Sequence, residues 1–566
     1  MGKKVVIVGG VAGGASTAAR LRRLDEANEI VMFERGPHVS FSNCCLPYHL
    51  SGKIQNHDEL VLMKPDVFFS QYRIDARVFS EVIRIDRENK EVVVKNVVTG
   101  KEYTETYDKL VLSPGAKAIV PPIKGIEEVN LFTVRNVIDI AKLNTYIKDN
   151  NCKNISVIGG GFIGVEVCEN LKEAGYNVTL IEASNQIMRP FDYDMVQVLH
   201  KEMYDNGVNL VVNDKVNSFE KDAVVLESGK KIEADAVVMA IGVTPETDLA
   251  REAGIEIGIT GAIKVNQNYL TNDKDIYAVG DAIEVFHALT NGVTKMPLAG
   301  PAQKQARAVA DHIHGIPVNN TGFIGSSCIK VFGYNGASTG LTEGAIKAQN
   351  LNINYDVVRV IPQDRVGIMP ESEPLHFKLI FEVPTGRILG AQAIGKGNAD
   401  KRVDVIATLI KFGGTIYDLK DLELCYAPPF GTAKDVVNHA GLVASNILQG
   451  TFKQVYVEDI RSLVENGEFI VDVREKDEYE EGHIINAKNI PLSEIRDRVN
   501  EIPKDRPVYL HCRSAQRSYN ACLALGHLGF DNIYNVSGGF MGLSFHEYFN
   551  DMTLDREKIV TEYNFD

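Results

Sequence analysis

Two cysteines stand in surroundings that suit sulfur chemistry. Cys44 lies in SFSNCCLPYHLSG (residues 40–52), with no second cysteine placed to make a C-x4-C redox pair. A lone reactive thiol of this kind works through a sulfenic acid or through a mixed disulfide with a substrate thiol. Cys512 opens the stretch HCRSAQRS, with four residues between it and Arg517. Consecutive amides in such a loop form an anion nest, and the guanidinium stabilises a thiolate or persulfide. A loop one residue longer would suit phosphate, which is larger than a sulfane sulfur. The neighbouring Cys45 reads as a small buried hydrophobe. Cys152, Cys168, Cys328, Cys425 and Cys522 are scattered, with neither metal spacing nor the pattern of a secreted disulfide framework. A few special thiols in a reducing compartment is the expectation.

The elements that must position these thiols are two βαβ units. KKVVIVGGVAGGASTAARLRRLDEANEIVMFER and NISVIGGGFIGVEVCENLKEAGYNVTLIEAS each read as β-branched strand, glycine turn, amphipathic helix and second strand ending in an acid. Finding the dinucleotide unit twice is far more specific than finding it once. In the first, Gly9 makes the turn, Val11 replaces the middle glycine, and Gly14 permits close helix packing. Ala12, Glu34 and the adjacent Arg35 complete that set, Glu34 standing where an acid holds ribose hydroxyls. Asp281, in TNDKDIYAVGDAIE, is placed to meet the ribityl chain of a flavin, so this unit reads as an FAD site; Ala299 is counted with the cofactor set. The second unit has Gly159, Gly161 and Gly164, with Glu182 ending its second strand. A carboxylate there accepts from a ribose 2′-hydroxyl and repels a 2′-phosphate, favouring NADH, a preference that Arg189 weakens without reversing. Two nucleotide sites imply hydride passing from nicotinamide to flavin, with Cys44 on the chain leaving the first unit.

At 566 residues the chain needs several cores. The expected division is an FAD-binding domain over 1–114 and 246–325, an NADH-binding domain over 115–245, a dimerisation domain over 326–448 and a small parallel-sheet domain over 456–566. The polar stretch around 449–460 reads as the linker. A net charge of −15 with no basic stripe argues against a nucleic-acid partner. Glycines break the apolar run after Lys3 and Lys4, so it reads as strand, turn and helix rather than a signal peptide. No apolar stretch is long enough to span a membrane, and a cytoplasmic location is expected.

Residues 1–447 resemble the single-cysteine flavoprotein disulfide reductases, most closely the coenzyme A disulfide reductases. The resemblance rests on GGVAGGAS, SFSNCCLPY, SPGAKAIVPP, the second glycine unit, YAVGDA and CYAPPFGTAKD. It implies that Cys44 forms the mixed disulfide, that Ser40 and Asn43 lie beside the substrate, and that Tyr426 reaches the other subunit's site in a homodimer. Ser113 and Gly115 stand in the family's flavin-side A-T-G-A motif. Arg20 and Arg23, on the first helix, are candidate contacts for coenzyme A phosphates. One departure is Met369 in GIMPES, where the family usually has an active-site tyrosine. Residues 456–550 resemble a rhodanese domain, with Asp472 and Arg474 framing the site and Cys512 and Arg517 in its loop. The expected fold class is therefore α/β: two Rossmann-like FAD/NAD(P)-binding domains, an α+β dimerisation domain and a C-terminal rhodanese domain. The expected reaction is NADH-dependent reduction of a coenzyme A persulfide, polysulfide or coenzyme A disulfide, with Cys512 carrying sulfane sulfur. The rivals are an NADH oxidase or peroxidase using a Cys44 sulfenic acid, whose family histidine is here Ala12, and a sulfurtransferase whose flavoprotein half senses redox state. His439 and His483 read as structural, and the charge run REKDEYEEGH as a solvated helix face.

Overall fold

The structure, a computed structural model, describes residues 2–565, and the chain forms two compact units. In the unit built from residues 1–185 and 211–323, the run KVVIV folds as strand Lys4–Val8. It is buried on both faces, as the centre of a parallel sheet requires. That sheet runs Ile276–Ala278, Lys109–Leu112, Lys4–Val8, Glu29–Phe33 and Ile74–Arg77, all parallel. The chain thus returns to its first sheet after building a second. In the second sheet Asn154–Ile158 pairs in parallel with Asn177–Ile181 and with Ala236–Met239, which pairs with Leu131–Phe132. Helices Ala12–Leu24 and Phe162–Glu173 follow the two glycine turns. Asp281 sits in a one-turn 3-10 helix, Gly280–Ala282, just past its strand.

The other unit comprises residues 186–210 and 324–566. Its first part is a five-stranded antiparallel sheet in the order Ser327–Val331, Tyr334–Gly340, Ile388–Gly395, Leu375–Glu382, Tyr355–Val360. Its second part is a parallel sheet in the order Lys453–Val455, Ile533–Val536, Val508–His511, Phe469–Asp472, Lys488–Asn489. The sequence shows three of these five strands. The edge strands of two and three residues are too short for periodicity to reveal. The stretch read as a linker is partly structured: Lys453–Val455 joins the sheet and Val457–Glu465 is helical.

Helix Gly539–Thr553 packs against helix Tyr193–Asp205 within this unit. His200 meets Phe549 edge-on at 4.9 Å, His376 meets Phe545 at 4.7 Å, and His546 meets Tyr193 at 5.7 Å. Beneath them Lys378, 2% exposed, donates to Asp194 at 2.8 Å and reaches Asp192 at 3.2 Å and Glu343 at 2.6 Å. Burial pushes the Asp194 pKa up, but Lys378 and Arg359 outweigh it and hold it at about 2. Removing one partner from such a set strands a buried charge, which is why the set is fixed as a whole.

Candidate active site

The two glycine turns are built alike. The Gly9 amide donates to Phe33 O and the Gly159 amide to Ile181 O, both at 2.8 Å. A Cβ on Gly14 or Gly164 would lie 1.9 Å from the carbonyl oxygen of Gly9 or Gly159, so only hydrogen fits. Glu34 accepts from the Gly10 amide at 3.0 Å and the Gly36 amide at 2.9 Å. Glu182 accepts from Gly160 at 2.7 Å and Ser184 at 2.8 Å, and from the Ser184 hydroxyl. Each carboxylate is thus held over its turn, and neither following helix has a side-chain cap on its first amides. A Cβ on Gly161 would meet nothing within 4 Å, as expected where a pyrophosphate approaches.

Around the first turn, Ser113 crowds Gly13: a Cβ there would lie 2.6 Å from its Oγ. Gly115 takes φ +76°, which suits glycine. Burial raises the Asp281 pKa, while Arg135, 3.9 Å away, opposes that. Ala299 begins helix Ala299–Ile313, which carries Gln305. The fully buried Gln305 accepts from the Gly280 amide at 2.7 Å, while its Nε2 has no partner. A buried donor beside the Asp281 turn fits a flavin acceptor. The Arg35 guanidinium is held by Glu246 at 3.0 and 2.5 Å.

Cys44 occupies a 3-10 turn, Asn43–Cys45, and forms no disulfide. The residue is exposed, yet the protein around its sulfur pushes the thiol pKa up, and the charge of Glu166 adds to this. Glu166, on helix Phe162–Glu173, is itself pushed up to about 7 by burial and by Glu169. The Oδ1 of Asn43 is buried without a partner, a waiting acceptor beside the thiol. Ser40, at φ +51°, lines a cleft of about 400 Å³ with Arg20, Arg23, Gln303 and Arg307. Asp311 holds the Nε and Nη2 of Arg20 at 2.7 Å each, leaving Arg23 and Arg307 as the less committed cations.

In the other unit Cys512, 1% exposed, follows strand Val508–His511. The Ser518 hydroxyl donates to its sulfur at 3.6 Å. Ala515, with φ +75°, turns the loop into helix Gln516–His527 in a conformation that favours glycine. Gly539 allows the next helix to approach: a Cβ there would lie 2.6 Å from Cys512 O. Asp472 and Arg474 form a buried pair with a contact of 2.6 Å. The charge run is not wholly solvated, because Glu478 binds Arg517 through both oxygens. Tyr426 is half-exposed between helices Ile416–Lys420 and Val436–Leu448. Met369 lies in an exposed loop, its amide donating to Val366 O at 2.9 Å. No cluster able to hold a metal ion is found among the described residues. Nor is any helix there long and apolar enough to cross a membrane.

Two dinucleotide folds in one unit, with a thiol on the chain leaving the first, define an oxidoreductase that works with FAD and a nicotinamide nucleotide. The chain belongs to the pyridine nucleotide-disulphide oxidoreductase family, whose model matches residues 3–306, and its dimerisation domain matches 326–436. A rhodanese-like domain matches 456–545. The coenzyme A disulfide reductase of Staphylococcus epidermidis is 34% identical over 78% of this chain and 99% of its own. Among solved structures, reduced CoADR-RHD of Bacillus anthracis superposes with a TM-score of 0.93 at 46% identity, covering 97% of this chain and 99% of that one. A NAD-dependent persulfide reductase from A. fulgidus gives 0.89 at 33% identity, covering 95% and 99%.

Proposed function

We propose that the protein reduces coenzyme A persulfide, polysulfide or coenzyme A disulfide with NADH, through Cys44, while Cys512 carries sulfane sulfur. The observation that carries this reading is the cleft joining Ser40 to Arg23 and Arg307. It offers cations for phosphates beside Ser40, which precedes Cys44 in the same loop. Names of the relatives, a coenzyme A disulfide reductase and a persulfide reductase, support the same substrate class.

Gly9, Gly14, Glu34, Ser113, Gly115 and Asp281 would hold FAD; Gly159, Gly161, Gly164 and Glu182 would hold NADH. Bound FAD supplies a two-electron relay between nicotinamide and sulfur. Cys44 thiolate attacks the inner sulfur of a persulfide, forming the mixed disulfide as the S–S bond breaks and hydrosulfide leaves. Asn43 Oδ1 orients the substrate. Two electrons from NADH then free the thiol, so that RSSH and NADH give RSH, HS⁻ and NAD⁺. Hydrosulfide is a good leaving group and needs little help from an acid, consistent with Met369 in place of a tyrosine. The dimerisation domain supports a homodimer in which Tyr426 completes the neighbouring site.

The test is anaerobic NADH consumption by the FAD-loaded protein with the three substrates. Wild type should turn over, fastest with a sulfane donor, and Cys44→Ser should keep FAD yet lose activity at least ~10²-fold. Near-normal turnover by that variant would overturn the reading.

A further inference from the structure

Arg517 lies in the first turn of helix Gln516–His527, directly after the Cys512 loop, and its charge acts on that thiol. Its two terminal nitrogens are nevertheless taken end-on by Glu478, Nη1 to Oε2 at 2.6 Å and Nη2 to Oε1 at 2.7 Å. Glu478 comes from a separate element, the short helix Lys476–Glu481. The pair is about a third exposed on each side, and a pair so exposed contributes little to stability. Its consequence is for the potential at the loop, where the carboxylate offsets the Arg517 cation. A second arginine pair of the module, Arg474 with Asp472, is fully buried, with Arg474 over the Phe540 ring at 4.3 Å. Arg513 is the loop's other cation.

We propose that Glu478 sets the charge class of sulfur donor that Cys512 accepts, admitting singly charged organic persulfides and disfavouring dianions such as thiosulfate. The proposal rests on the reading of Cys512 as a sulfane-sulfur carrier. In the loading step Cys512 thiolate attacks the outer sulfur of R–S–S⁻. A Cys–S–S⁻ bond forms as the donor's S–S bond breaks, and RS⁻ leaves with the electron pair and takes a proton from water. No net oxidation occurs. With thiosulfate the leaving group is sulfite, and one further negative charge must enter the loop. A cation already neutralised by Glu478 does little to offset it, because like charges within a few ångströms repel strongly where water is partly excluded.

The experiment compares full-length wild type, Glu478→Gln and Glu478→Asp. Persulfide formation at Cys512 is followed by mass spectrometry with thiosulfate and with 2-hydroxyethyl persulfide, whose only charge is on sulfur. Cys512 alkylation is followed in parallel with anionic iodoacetate and neutral iodoacetamide. Glu478→Gln should raise the thiosulfate-to-persulfide ratio and the iodoacetate-to-iodoacetamide ratio about tenfold. Glu478→Asp, which keeps the charge, should stay within about threefold of wild type and remains informative if the glutamine variant does not fold. Ratios unchanged in Glu478→Gln, or raised as much in Glu478→Asp, would overturn the proposal. A wild type that loads no sulfur from either donor, while its alkylation ratios shift as stated, would sink the carrier reading alone.

Discussion

Glu166 and Cys44 are electrostatic neighbours: the carboxylate is among the charges that hold the thiol above its ordinary pKa, after burial itself. Because burial and Glu169 lift Glu166 to about 7, this opposition is present only above about neutral pH. Glu166→Gln removes a like charge and so lowers the Cys44 pKa. The variant should alkylate at Cys44 roughly threefold faster than wild type near pH 8, the size of one partly screened charge, with the two converging below about pH 6. Parallel pH profiles would show that the two groups do not communicate.

Three buried histidines make the unit of residues 186–210 and 324–566 sensitive to acid. Burial pushes His200 and His376 down to about 3 and His546 to about 4. His200 Nε2 accepts from the Ile187 amide at 3.2 Å, a bond only a neutral ring can take. Unfolded, each ring binds its proton near 6.5, so the unfolded state takes up more protons below that pH. Their contribution is whole above about pH 6.5 and is lost as pH falls toward 3 to 4, at up to ~4 kcal/mol per pH unit for three rings. His376→Phe with His546→Phe keeps aromatic rings facing Phe545 and Tyr193 while removing two protons from the linkage. The acid midpoint of circular dichroism should move down by at least half a pH unit. An unmoved midpoint would place acid lability elsewhere.

What was legible in the sequence was local. Gly9, Gly14, Gly159 and Gly164 announce their role because steric demand within one turn leaves no alternative, and Glu34 and Glu182 follow at the strand ends those turns dictate. What was not legible joins distant segments. Gln305 reaches the Gly280 turn, Glu166 reaches Cys44, Arg307 enters the cleft of Arg23, and Glu478 takes Arg517, each from a separate element. The acidic partners of Arg35 and Arg20, Glu246 and Asp311, were hidden for the same reason: they are far along the chain. The αL conformation of Ala515 had no signal, since alanine is not a residue that marks it.

Glu182 carries a prediction about the nucleotide. Its carboxylate is held over the second glycine turn by Gly160 and Ser184, where it would face the adenosine ribose. Wild type should prefer NADH over NADPH in kcat/KM, and Glu182→Ala should cut that preference at least ~10-fold by removing both an acceptor and a repulsive charge. A native preference for NADPH, or a ratio unaltered by the substitution, would refute the assignment.

If the cleft of Ser40, Arg23 and Arg307 binds coenzyme A phosphates as proposed, it should separate substrates by whether they carry phosphates. A charge-assisted hydrogen bond to phosphate contributes ~1.5–3 kcal/mol, and exposure at Arg23 places it near the lower end. Arg23→Ala and Arg307→Ala should therefore each raise KM for coenzyme A disulfide about tenfold while changing kcat little. Inorganic polysulfide, which has no phosphate to lose, should keep its kcat/KM within about twofold. Arg20 behaves differently because Asp311 already holds its guanidinium at 2.7 Å. Arg20→Ala leaves Asp311 facing Arg307 alone, which draws that cation away from the cleft and adds a negative charge to its rim. Its KM effect should thus exceed that of Arg23→Ala, and Arg20→Ala combined with Asp311→Asn should recover part of the loss. Equal losses with coenzyme A disulfide and polysulfide in all three single variants would mean that the cleft supports the fold around Cys44 rather than binding phosphate.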